Sequence, residues 1–228
     1  IRPFLDEIVR QTRLLDLLAV GLVPVVLTGI YTLPRETREA FVFETENPTI
    51  LTAYTSYFVH LDWFHLLGNL VVYFPAVVIA YLLCVLSNRR TLFGITFLTL
   101  LAAFPFVLSA MQLIFPRERV LLGFSGITAG IVGLACFALV GYVRTALAVE
   151  VNDRYAPTLL FFTTALIASI AVPSRAYRTA ITLASLSLGT AYLGVALARN
   201  GLPSRETLTS AANRRGYFEF TGAAVGLL

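Results

Sequence analysis

The chain has 228 residues, of which 57% are apolar and only 13% are charged, and its mean hydropathy is +0.80. A soluble domain is about one-quarter charged, so this composition indicates a membrane protein. All 17 basic residues are arginines, and they are scattered along the chain. A chain without a basic patch is not expected to bind nucleic acid.

The two cysteines, Cys84 and Cys136, lie inside long apolar runs. Their spacing suggests neither a disulfide framework nor a zinc cluster. The sequence starts at Ile1 and stops within an apolar run at Leu228, so we expect that one or both ends have been trimmed.

The distribution of apolar residues predicts membrane-spanning helices. A span needs about 20 apolar residues, and it must be helical because the bilayer offers no water to the backbone. Six runs approach this length, the fifth being the shortest, and an apolar stub follows them: Leu17–Leu33, Trp63–Ser87, Thr91–Phe115, Val120–Val143, Thr158–Val172, Thr179–Ala198 and the stub Tyr217–Leu228. The sequence predicts an all-α, polytopic transmembrane bundle with a six-helix core and a possible partial seventh helix. The sequence has no internal repeats and no low-complexity tracts, so we expect residues 1–228 to form a single membrane domain.

The arginines predict the orientation, because basic residues are retained on the cytoplasmic side. With the N-terminus inside, eleven of the 17 arginines fall in inner segments, and the other six fall in outer ones: Arg35, Arg38, Arg117, Arg119, Arg175 and Arg178. We therefore expect a multi-pass protein of the cell membrane with a cytoplasmic N-terminus. The first outer loop, residues 34–59, mixes acidic with aromatic residues and is expected to lie at the membrane interface.

Polar residues gather at the predicted outer ends of two spans. His65 and Asn69 are four residues apart near the start of the second span and share one helix face. Ser125 lies in a Gly-x-Ser-Gly sequence, between Gly123 and Gly126, near the start of the fourth span. Both spans run from outside to inside in this orientation, so the three side chains lie at a common depth and can meet.

Structural interpretations remain open for each feature. A His and an Asn can cap a helix or bond to a neighbouring one, and small residues favour close helix packing. Gly126, Gly130 and Gly133 continue such a face along the fourth span. A metal site is disfavoured, because His60 and His65 are five residues apart on different helix faces and no further ligand completes a set.

Together, His60-x4-His65-x3-Asn69 and Gly123-x-Ser125-Gly126 on a six-helix core resemble the rhomboid intramembrane serine proteases. The resemblance implies that Ser125 is the nucleophile, that His65 and Asn69 stabilise the oxyanion, and that His60, Gly123 and Gly126 play supporting roles. It implies no cofactor and no metal. The partners would be transmembrane proteins within the lipid bilayer, cleaved near the outer surface where small or helix-breaking residues let the helix unwind.

The chain departs from the family at the general base. Rhomboids carry a His near the outer end of the sixth span; here Ser187 occupies the best-matching position, and a hydroxyl is not a base near neutral pH. Glu219 in the stub reproduces the spacing with a carboxylate, which requires a re-entrant fifth segment. His65 itself, or a His beyond Leu228, would also supply a base. A stripe of small residues, Ser187, Ala191, Gly194 and Ala198, is expected to pack against the glycine face of the fourth span.

The first outer loop also lacks the Trp-Arg pair frequent in rhomboids, because the only tryptophan is Trp63. Three hypotheses follow. The first is an intramembrane serine endopeptidase, and the second is a rhomboid-like pseudoprotease that binds client transmembrane helices without cleaving them. The third is a small-solute transporter or channel, for which inverted repeats are expected and none is found.

Overall fold

The computed structural model describes residues 2–115, 120–172 and 174–228. Arg117 and Arg119, which enter the prediction of orientation, lie outside these residues. The described chain is mostly helical, which confirms the prediction of an all-α membrane bundle. Its elements are α1 (Arg2–Gln11), α2 (Leu14–Tyr31), α3 (Arg35–Glu39), β1 (Phe43–Glu44), α4 (Ile50–Thr55), α5 (Trp63–Leu86), α6 (Arg90–Ala102), α7 (Phe104–Ile114), β2 (Val120–Leu121), α8 (Ser125–Ala146), α9 (Ala156–Ala171), α10 (Arg175–Asn200), α11 (Arg205–Ala212) and α12 (Tyr217–Leu227).

Among the described residues, α2, α5, α8 and α10 are each long and apolar enough to cross a membrane. The predicted third span is a pair of helices, α6 and α7, bent by 48°. Pro105 in the first turn of α7 explains the break, because a proline has no N–H to donate and clashes with the preceding turn. The predicted fifth span, α9, has 16 residues, fewer than the about 20 that a bilayer requires.

The chain groups into two compact units. The first unit comprises Thr12–Val78 and Thr91–Val132, and the second comprises Ile1–Gln11, Ile79–Arg90 and Gly133–Leu228. Helices α5 and α8 begin in the first unit and end in the second. The expectation of a single domain stays a prediction.

In the first unit, the loop of residues 34–59 pairs with the segment that precedes α8. Strands β1 and β2 pair antiparallel, with Phe43 opposite Leu121 and Glu44 opposite Val120. The predicted start of the fourth span at Val120 was therefore wrong, since α8 begins at Ser125. The apolar residues before it form a strand, and Gly123, with a φ of 101°, turns the chain between strand and helix.

In the second unit, α10 packs along α9. The small residues buried on α10 are Ser185, Gly189 and Ala196, and a Cβ added at Gly189 would lie 2.7 Å from the ring of Phe162. The predicted packing stripe was wrong, because its members are exposed: Ser187, Ala191, Gly194 and Ala198.

Two members of the glycine face of α8 pack within the first unit, where Leu108 of α7 lies against Gly126 and Leu100 of α6 lies against Gly130. Gly133 belongs to the second unit, where a Cβ added to it would lie 3.7 Å from Leu160 of α9. The glycines of α8 thus allow close helix packing, as expected. The helices that approach them are neighbours of α8 in the chain.

Candidate active site

The side chain of Asp62 caps the start of helix α5. The backbone N–H of His65 donates to Asp62 Oδ1 over 3.0 Å, which satisfies one of the donors that the first turn of a helix leaves without an acceptor. The cap fixes His65 in the first turn of α5, with Asn69 one turn further on. His60 lies before the cap, in the loop.

The imidazole of His60 is a buried hydrogen-bond acceptor. Its side chain is 1% exposed, and its Nε2 lies 3.1 Å from Asn69 Nδ2 and 3.4 Å from the backbone N of Phe124. Two donors meet at Nε2, so we assign the proton of the neutral ring to Nδ1. Burial, with the neighbouring His65, lowers the pKa of His60 to about 4. His60 is therefore neutral at physiological pH and joins α5 to the residue before Ser125.

Asn69 is buried, and both hydrogens of its amide are engaged. Besides the bond to His60, Nδ2 donates to the backbone carbonyl of His65 over 2.9 Å. The flipped amide would set Oδ1 against that carbonyl, so this orientation follows from the hydrogen bonds. Asn69 has to release one of these partners before it can donate to a substrate.

The ring of His65 packs directly on the backbone of Gly123. A Cβ at Gly123 would lie 2.7 Å from His65 Cε1 and 2.8 Å from Nε2. The positive φ of 101° adds a second reason for glycine, because L side chains rarely adopt it. The N–H of Gly123 donates to the carbonyl of Ser56 over 3.0 Å. An exposed imidazole thus lies against the chain two residues before Ser125.

Ser125 is exposed at the first position of α8. Its backbone N–H has no acceptor inside the helix, as at every helix start. Ser125 lines a cleft of about 270 Å³ together with the flanking glycines Gly123 and Gly126, and with Tyr57, Leu108 and Met111. The hydroxyl is therefore accessible from a largely apolar cleft, next to the backbone N–H groups of the first turn of α8.

A family model of the Rhomboid domain matches residues 47–199. The chain belongs to the rhomboid family. Comparison with curated proteins and with solved structures finds no significant match. The matched segment contains both motifs of this rhomboid protein and extends almost to the end of α10. Membership makes it an integral membrane protein; the individual roles of the site residues stay predictions.

The first unit of this rhomboid brings together six of the residues singled out from the sequence: His60, His65, Asn69, Gly123, Ser125 and Gly126. Ser187, at the best-matching position for the family's base, and Glu219 belong to the second unit. Ser187 is exposed on α10, and Glu219 accepts the backbone N–H of Gly216 at the start of α12. The carboxylate of Glu219 thus caps its own helix.

No group of three or more His, Cys, Asp or Glu that could hold a metal is found in the part of the chain that the structure describes. Cys84 and Cys136 are buried free thiols. The site as described is built from a hydroxyl, two imidazoles, an amide and backbone donors.

Sequence reasoning missed Arg38, which is buried in the first outer loop and donates to the carbonyl of His60 over 2.5 Å. It lies 22 residues before His60, so no helical or strand spacing connects the two. An arginine among the aromatic residues of the loop 34–59 was the available signal.

Proposed function

We propose that this rhomboid protein is an intramembrane serine endopeptidase that cleaves transmembrane segments of other proteins near the outer membrane surface, with Ser125 as the nucleophile. The observation that carries the proposal is the exposed hydroxyl of Ser125 at the start of α8, with the ring of His65 against Gly123 two residues earlier. An N-terminus in the cytoplasm, inferred from the arginines, places both helix starts on the outer side.

The chemistry needs donors where negative charge develops on the carbonyl oxygen. Each such donor contributes about 3 to 4 kcal/mol to the stabilisation of the transition state in comparable sites. The donors proposed for this role are the backbone N–H groups in the first turn of α8 and a ring N–H of His65. Asn69 joins them when its amide leaves His60 or the carbonyl of His65.

The substrate helix must expose its backbone to reach Ser125. Small or helix-breaking residues near the outer surface allow this, so single-span proteins with such residues are the proposed substrates. The cleft beside Ser125 is lined mainly by apolar side chains, which fits an apolar side chain next to the cleaved bond.

Reconstitution in liposomes with a single-span reporter tests the proposal. Wild type is expected to release a soluble fragment, and Ser125→Ala is expected to release none. A matched control is Ser169→Ala, because Ser169 is an exposed serine whose hydroxyl bonds within α9. Cleavage that survives Ser125→Ala would contradict the proposal.

A second candidate, a pseudoprotease that binds client helices without cleavage, is favoured by one observation. The best-matching position for the base carries Ser187, a hydroxyl, and no described residue of α10 is a His. Ser187→His separates the two candidates. A wild type that binds the reporter without cleaving it, with cleavage appearing in Ser187→His, supports the pseudoprotease; cleavage by wild type supports the protease.

A further inference from the structure

Arg38 is a buried cation in the first outer loop, outside both motifs. Its side chain is 8% exposed. Its Nη1 donates to the carbonyl of His60 over 2.5 Å, and its Nε donates to the carbonyl of Leu33 over 3.1 Å. The guanidinium also lies 4.4 Å from the centre of the Tyr31 ring. Arg38 therefore joins the end of α2, the short helix α3 and the loop before α5.

Arg38 binds the carbonyl of His60, whose ring accepts hydrogen bonds from two other parts of the site. His60 Nε2 accepts from Asn69 on α5 and from the N–H of Phe124, directly before Ser125. A shift of the His60 backbone moves the imidazole and hence both bonds. One buried guanidinium thus acts, through His60, on the two helix starts that carry His65 and Ser125.

The two carbonyls require an arginine. A guanidinium donates from a rigid planar fork and lies flat on an aromatic ring, whereas an ammonium is a compact point charge on a flexible stem. A lysine at position 38 keeps the charge but cannot reproduce the paired donation from Nε and Nη1 together with the contact to the Tyr31 ring.

We propose that Arg38 is a positioning residue of the Ser125 site, which fixes the imidazole of His60 between Asn69 and the N–H of Phe124. The effect on the reactivity of Ser125 rests on the proposed function. The effect on the geometry of His60 does not, and can be measured separately.

Nitrogen-15 NMR of the full chain in detergent micelles, labelled at histidine, measures this geometry. The chain has two histidines, and a His65→Gln sample assigns their signals. The groups that face His60 are His65, at 5.1 Å between ring centroids, Asn69 and Arg38. In wild type, His60 is expected to carry its proton on Nδ1 and to stay neutral down to about pH 5, since its pKa is lowered to about 4.

In Arg38→Gln, the His60 ring is expected to become hydrated, and its titration midpoint to rise towards 6.5, the ordinary value for His. Arg35→Gln is the matched control. Arg35 lies in the same helix but is exposed and pairs with Glu39, so its replacement is expected to leave His60 unchanged. An identical titration of His60 in folded Arg38→Gln and wild type would overturn the proposal.

The rate of labelling of Ser125 by a fluorophosphonate gives the second readout. Displacement of a reacting group by about 1 Å can cost about 100-fold in rate, so Arg38→Gln is expected to react about 10- to 100-fold more slowly, Arg38→Lys to recover part of the loss, and Arg35→Gln to match wild type. Equal rates in Arg38→Gln and wild type would contradict the positioning role. Absence of labelling in every variant, wild type included, counts against the proposed function, and the NMR result then decides the role of Arg38.

If Arg38→Gln does not fold, Arg38→Lys is compared with Arg35→Lys. A changed His60 signal in Arg38→Lys alone supports the proposal, and unchanged signals in both variants refute it.

Discussion

The start of α8 and the middle of α10 are the two places where the rhomboid pattern requires polar chemistry, and they are built differently. Before α8, buried polar groups bind one another: His60 accepts from Asn69 and from the N–H of Phe124, and Arg38 holds the carbonyl of His60. On α10, Ser187 is exposed, and the buried face consists of small residues against α9.

The difference shows which of the two polar parts of the rhomboid pattern this chain contains. Buried polar groups cost free energy unless they are fully paired, so a packed core without them would be simpler to stabilise. The network before α8 joins the start of α5 to the turn that precedes Ser125. On α10, where rhomboids carry the base, small residues pack against α9 and no described residue is a histidine.

We expect the largest effect on the region before α8 from Gly123→Ala. The added Cβ would lie 2.7 Å from His65 in a backbone conformation with a φ of 101°, so either the ring or the turn before Ser125 has to move. We expect a loss of labelling of Ser125 by about 100-fold and a destabilisation of about 2 kcal/mol.

Gly68→Ala is the control for that variant. Gly68 lies on α5 between His65 and Asn69, and a Cβ there meets nothing within 4 Å. Its replacement is expected to keep the labelling rate and to stabilise the helix slightly. Equal behaviour of the two variants would show that the contact between His65 and Gly123 has no importance.

Asn69→Leu tests the role of the amide at nearly constant shape. The leucine side chain has neither donor nor acceptor, so the substitution leaves His60 Nε2 and the carbonyl of His65 without Asn69 as a partner. Loss of a buried partner costs about 1 to 3 kcal/mol. We expect a lower free energy of unfolding in a denaturant titration. Unchanged stability would mean that the two hydrogen bonds of Asn69 do not hold α5 to the loop.

The buried His60 makes stability depend on pH. Its pKa is about 4 in the folded protein and 6.5 as the ordinary value, so the unfolded chain binds the proton more tightly. The stabilisation is fully present above pH 6.5 and decreases as the pH falls towards 4. Thermal unfolding in detergent is expected to shift downwards by about 5 °C between pH 7 and pH 5.

His60→Gln is the comparison for this pH dependence, because glutamine does not titrate. The variant is expected to be less stable than wild type at pH 7 but to change less between pH 7 and pH 5. The same slope in both proteins would assign the pH dependence to other groups.

The smallest effects are expected on α10, where two glycines test the packing of the second region. Gly189→Ala sets a Cβ 2.7 Å from the ring of Phe162, whereas Gly194 has nothing within 4 Å. We expect a destabilisation of about 1 kcal/mol for Gly189→Ala and none for Gly194→Ala. A larger destabilisation by Gly194→Ala than by Gly189→Ala would instead support packing through the predicted stripe that contains Ser187 and Gly194.

The part of the site that rests on short spacing was predictable from the sequence. His65 and Asn69 are one helical turn apart, and a serine between glycines marks a close approach of the backbone. Most helices follow from the apolar runs, and the start of α5 at Trp63 was predicted at the residue where it lies.

Long-range pairing was not predictable in the same way. Val120 and Leu121 are apolar, so they extend a helical pattern, and only the partner strand at Phe43–Glu44 reveals that they form a strand. Arg38 and His60 meet through the fold of a loop that has no periodicity. On α10, small residues occur on more than one face, so composition could not select the face of Gly189 over that of Ser187.

The reactivity of Ser125 is tested most directly by mass spectrometry of peptides from the full chain after reaction with a fluorophosphonate in detergent micelles. We expect a phosphonate adduct on the peptide that contains Ser125, and no adduct on the corresponding peptide of Ser125→Ala. Absence of the adduct from both wild type and Ser187→His, or an adduct on a different serine, would contradict the assignment of Ser125 as the nucleophile.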